Sequence, residues 1–99
     1  MRSFRKYEVW KRAIQLSKDV YLLTGAFPAK EKFALSNQLQ RAAVSVASNI
    51  AEGASRNSEI EFAHYLEIAM GSAFEVETQL IIAHEIGCIS KKIVDQKVA

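Results

Sequence analysis

The chain has 99 residues, 49% of them apolar and one of them proline, which supports one hydrophobic core and is too short for two domains. A formal charge of +2 and a pI near 8.8 fall short of the lysine-rich excess that would by itself mark a nucleic-acid binder. The single cysteine, Cys88, excludes an internal disulfide framework and reads as a small apolar filler in a reducing compartment, and no signal-peptide core or apolar run of the ~18 residues that a membrane span needs is present, so the expected setting is cytoplasmic, with no membrane partner.

Helical periodicity starts at Tyr7 and runs to Thr24, with Val9, Trp10, Ala13, Ile14, Leu16, Val20 and Tyr21 in one half of the wheel and Lys11, Gln15, Lys18 and Asp19 opposite. Gly25 stops it. In the corner "AFPAKEKFA", Pro28 opens a short helical turn, and Phe27 and Phe33 fold back onto the core. A second helix is predicted from about Ser36 to Gly53, where glycine permits a left-handed cap. Ser58 with Glu61 spells a capping box, and the helix behind it continues to Gly87. Ser90 caps a short fourth helix, "KKIVDQKVA". No alternating strand pattern or repeat occurs, so the predicted fold is all-α: an antiparallel up-and-down four-helix bundle with a short fourth helix.

The second helix is unusual in having nothing that resembles a solvated face. Leu35, Leu39, Ala42, Ala43, Val46 and Ile50 make its core stripe. Beside them runs a polar stripe of Gln38, Arg41, Ser45, Asn49, Glu52 and Arg56, and the remaining arc is Val44, Ala47, Ser48, Ala51 and Ser55. A helix so small-sided and without lysine implies close neighbours on several sides. The third helix repeats the anomaly. Its core stripe of Phe62, Leu66, Ala69, Ala73, Val76 and Leu80 is opposed not only by Glu61, His64, Glu75 and Gln79 but by Ile60, Ile68, Gly71, Ile82 and Ile86. Wet isoleucines would each forgo about 1.5 to 3 kcal/mol of burial, so Ile68, Gly71, Ile82 and Ile86 are expected to form an oligomer seam, unless helix four or the loops cover them.

Sharper chemistry finds little support. Glu61 and His64 have the E-x-x-H spacing of di-metal bundles, but such sites need a second E-x-x-H and two more glutamates, and His84 has Ile81 three residues before it. Glu77 projects to the core side and is expected to meet Arg41, Asn49 or another donor, or to be protonated. Ser45 and Ser72 lack a histidine and acid at triad spacing, and no phosphate-cradling glycine loop occurs. No cofactor, metal or catalytic residue is predicted.

The run "YEVWKRAIQLSKDVYLLTGAFPAKEKFALSNQLQRAAVSVASNIAEGASRNSEIEFAHYLEIAMGSAFEVETQL" closely resembles the four-helix bundle proteins encoded by intervening sequences within bacterial 23S ribosomal RNA genes. Val9-Trp10, Phe27-Pro28, Gln38, Arg41-Ala42-Ala43, Ser45, Asn49 to Gly53, Arg56, Phe62, Ala69, Gly71-Ser72 and Glu75 carry the likeness. It implies an up-and-down bundle that assembles into rings, often of five, and extends to accessory proteins of diversity-generating retroelements, which bind nucleic acid beside a reverse transcriptase. The sequence departs from the pattern at its C-terminus, where relatives carry a longer last helix, and at Ala47, where proline is common.

Three function classes follow: an oligomeric scaffold that binds RNA or DNA, a structural or protein-partner-binding oligomer, and an enzyme or metal protein, in that order. In the scaffold reading Gln38, Arg41, Ser45, Asn49, Glu52, Arg56 and Glu75 form one polar assembly network, with the acids as partners of Arg41 and Arg56. Arg5, Lys6, Lys11, Arg12 and Lys18 are the nucleic-acid candidates, because the N-terminal segment concentrates cations while the third helix holds six glutamates and no lysine or arginine.

Overall fold

The computed structural model describes residues 3–31 and 34–89. Among these residues there are three α-helices and no strand: α1 (Glu8–Thr24), α2 (Leu35–Ala54) and α3 (Glu59–Glu85), with short 3-10 turns at Phe4–Lys6 and Ala29–Glu31. The four-helix count is therefore not met, and the expected fourth helix at 91–99 lies outside the described residues, as does Phe33. The 27 residues of α3, about 40 Å at 1.5 Å per residue, set the longest dimension of a slab measuring 44 × 22 × 17 Å.

The helix ends have separate physical causes. Ser58 accepts the Glu61 backbone N–H at 3.0 Å, which satisfies one orphan donor at the start of α3. At the other end Gly87 takes φ +86°, its N–H donates to His84 O at 3.0 Å, and Cys88 N–H donates to Ala83 O at 2.8 Å. This is a Schellman cap, in which glycine is required because a Cβ disfavours the left-handed conformation. Gly53 is a different case. The expected left-handed stop there does not occur: α2 continues to Ala54, and Gly53 is helical and buried. A Cβ on it would lie 2.7 Å from Tyr65 Cβ, so the missing side chain lets α2 and α3 approach closely.

α2 is the hub, since both outer helices pack on it. One core cluster joins Val20, Phe27, Leu39, Ala43, Val76 and Leu80, and a second joins Ala13, Val46, Ala47, Ile50 and Ala69. Leu39, Ile50 and Leu80 are essentially inaccessible. The wheel placed the apolar arc of α1 too broadly. Only Ala13, Val20 and Thr24 of α1 are buried, whereas Val9, Ile14 and Tyr21 are exposed, because among the described elements α1 meets one main neighbour and a narrow stripe suffices to cover it. Polar clasps link the helices: Gln40 Nε2 donates to Thr24 Oγ1 at 3.0 Å, and the Ser45 and Ser72 hydroxyls lie 2.8 Å apart.

Candidate functional site

The predicted polar network separates into pieces. Ser45 and Asn49 are half-buried and adjacent, with Asn49 Nδ2 donating to Ser45 O at 2.8 Å and to Ser45 Oγ at 2.9 Å. Since the Ser45 hydroxyl also meets Ser72, this unit ties α2 to α3. Arg56 forms a second unit. It donates to Glu52 Oε1 and, at 2.8 Å, to Tyr65 Oη, and its guanidinium carbon lies 4.9 Å from the Tyr65 ring centroid. Tyr65 is the first cause holding the Arg56 pKa above its ordinary value; partial desolvation opposes the shift and Glu52 adds to it. Both members of the Glu52–Arg56 pair keep substantial solvent access, so their attraction is screened.

Gln38 and Arg41 do not join either unit. Both project into solvent, and neither side chain has a hydrogen-bond or ion-pair partner among the described residues. Glu75 is exposed and accepts only a long 3.4 Å bond from Gln79 Nε2, its neighbour one turn on. A single desolvated seam is thus replaced by an α2–α3 hydroxyl–amide clasp, an arginine–tyrosine–glutamate corner and an outward-facing Arg41. The wheel put these residues in one stripe, but Arg56 lies beyond the end of α2 at Ala54, where the helical projection no longer holds, and its side chain turns to Tyr65. Glu77 is half-buried and meets neither Arg41 nor Asn49.

The apolar surface is larger than the sequence stripe suggested. Ile68, Ile82 and Ile86 are exposed as expected, and Gly71 beside them is exposed, with nothing within 4 Å of the position its Cβ would take. No close contact is therefore made at Gly71 among the described residues. A second set, Met70, Phe74 and Ile81, escaped the sequence reading although two of them are about 60% exposed. Their spacing of four and seven residues places them within about 40° of one another on α3, a signal that counting isoleucines alone misses. Adjacent to Met70, Val9, Val46, Ile50, Leu66, Ala69 and Ala73 line an apolar groove that crosses all three helices.

The N-terminal cations Arg5, Lys6, Lys11, Arg12 and Lys18 are all exposed. Arg12 lies 3.9 Å from Glu8 in an exposed one-turn pair, and Arg5 rests over the Phe4 ring at 5.1 Å. Lys6, Lys11 and Lys18 have no carboxylate partner among the described residues. Trp10 is occupied by an edge-on contact with Phe4 and by the second core cluster, which leaves it unavailable for stacking.

Among the described residues no three metal-ligating side chains come together, and Glu61 and His64 both face solvent. No helix among them is long and apolar enough to cross a membrane. Comparison with curated proteins finds no match. The sequence model of one family, described as 23S rRNA-intervening sequence protein, matches residues 5–98.

Proposed function

The chain belongs to the 23S rRNA-intervening sequence protein family, and on that premise we propose that it works as a non-enzymatic, self-associating helical scaffold rather than as a catalyst. The observation that carries this reading is the exposed apolar face of α3, where Met70, Phe74 and Ile81 lie on one side and Ile68, Ile82 and Ile86 on another. Burying a large apolar side chain fully is worth about 1.5 to 3 kcal/mol, and two exposed apolar strips on one helix favour an interaction surface. A homo-oligomer covers this face with the one partner always present at matched concentration. A ring of five is the arrangement that the family resemblance implies.

Sedimentation equilibrium at micromolar concentration tests the reading. The wild-type chain is expected to exceed the monomer mass, and Phe74→Asp to lower that mass while keeping its helical circular dichroism. A wild-type chain that stays monomeric overturns it.

Exposed Lys6, Lys11 and Lys18 support an added role for this scaffold, weak binding of RNA or DNA. Assembly would repeat the basic segment in every copy and sum weak phosphate contacts into useful avidity. Phosphate contacts of this kind are insensitive to base sequence, while exposed Tyr21, three residues after Lys18, offers one ring on which a base could stack.

A further inference from the structure

Within α2 there is one cation, Arg41, and one anion, Glu52. They stand eleven positions apart, which is about 1,100° of helical rotation, so they point within about 20° of each other and lie about 16.5 Å apart along the axis. Both are exposed. The Arg41 guanidinium has no partner among the described residues and sits in a shallow recess with Tyr21, Asn37 and Gln40. Glu52 gives only Oε1 to Arg56 and keeps its other oxygen free, with half of its side chain in solvent. Between the two charges the same face carries Val44, Ser45 and Ser48, with no long side chain.

We propose that α2 pairs antiparallel with α2 of a second copy about a two-fold axis at its midpoint, so that Arg41 of each chain meets Glu52 of the other. This inference rests on the self-association proposed above and assigns it a face. The antiparallel arrangement is the one that joins unlike charges twice. Parallel pairing would set arginine on arginine and glutamate on glutamate. With residue 41 opposite residue 52, Ser45 falls opposite Ser48, and these short side chains allow the helix axes to approach to about 8 Å. The contact is isologous: the same patch serves both chains, and each supplies the charge that the other lacks. The α3 apolar residues are not used, so this pairing adds to an assembly built on that face.

Charge reversal with mixing tests it on the full chain. Wild type, Arg41→Glu, Glu52→Arg and an equimolar mixture of the two variants are compared by sedimentation equilibrium, with circular dichroism as the check on folding. Each variant alone places like charges at both contacts and is expected to associate at least about tenfold more weakly than wild type. The mixture restores unlike charges at both contacts and is expected to regain wild-type mass, even though Glu52→Arg also removes the carboxylate beside Arg56. Should either variant lose its helical signal, Arg41→Gln and Glu52→Gln replace the pair, and each must then weaken association. A monomeric wild type overturns self-association altogether. A wild type that associates, with variants that associate equally well or a mixture that stays dissociated, overturns the α2 pairing and leaves self-association standing.

Discussion

Two glycines in neighbouring helices should respond oppositely to the same added methyl group. Alanine is favoured over glycine in a helix interior by about 1 kcal/mol, chiefly through backbone entropy. At exposed Gly71 the new Cβ meets nothing within 4 Å, so Gly71→Ala should stabilise the fold by about that amount, or roughly 4–8 °C in melting temperature for a chain of this length. At Gly53 the same atom would stand 2.7 Å from Tyr65 Cβ, 3.1 Å from Phe62 Cδ1 and 3.3 Å from Phe62 O. Tyr65 Cβ and the Phe62 carbonyl are fixed to the backbone and cannot swing aside. The first turns of α3 must move, at a cost of about 1–3 kcal/mol. The propensity gain is common to both sites, so the difference between the variants, about 1–3 kcal/mol in favour of Gly71→Ala, isolates the close approach. Urea unfolding followed by circular dichroism, at one protein concentration low enough to suppress association, measures it. If Gly53→Ala is stabilised as much as Gly71→Ala, the two helices do not approach as described.

Leu39→Ala removes a side chain with no solvent exposure from the larger core cluster and should cost about 2–5 kcal/mol, seen as a lower urea midpoint at unchanged slope. Ser72→Ala takes away the hydroxyl partner of Ser45 and should cost about 0.5–1.5 kcal/mol, a loss that disappears in a Ser45→Ala background if the two form one interaction. Gly71→Leu should lower the assembled mass, because it fills space that is open in the single chain; unchanged mass would remove Gly71 from the interface. Titration of labelled RNA and DNA at several salt concentrations should show binding that weakens steeply with salt and loses slope on Lys11→Ala and Lys18→Ala. Absence of binding at low ionic strength with the oligomer intact would leave the scaffold to protein partners.

Where a residue's physical requirement is local, the sequence displayed it. Ser58 and Glu61 announce a cap because the bond spans three residues, and Gly87 marks the end of α3 because among the described residues only there does the backbone turn left-handed. Gly53 looked the same on paper yet serves an approach between helices, a cause that lies in Tyr65 and Phe62 and not in its own neighbours. Alanines were equally ambiguous. Ala47 and Ala54 are buried although their size suits either environment, and nothing in the α2 pattern separates them from half-exposed Ala51. The polar stripe misled for a geometric reason. Arg56 lies past the end of α2 and turns toward Tyr65, while Arg41 has no acceptor among the described residues. Met70 and Phe74 fall between the core stripe of α3 and its isoleucine arc, so neither arc includes them.

Each of the two core clusters draws side chains from α1, α2 and α3 alike: Val20, Leu39 and Val76 in one, Ala13, Ile50 and Ala69 in the other. Neither helical hairpin can close a cluster by itself. As the chain leaves the ribosome, α1 and α2 can meet, but the inner side of α2 stays uncovered until α3 has emerged, so a two-helix fragment is not a stable folding unit. The helix pairs that pack most, α1 with α2 and α2 with α3, are neighbours in sequence, which keeps loop closure cheap and suits the microsecond-to-millisecond folding of helical bundles once the third helix is available. The hub position of α2 thus ties completion of both clusters to the arrival of α3 and keeps it fast once that helix is available.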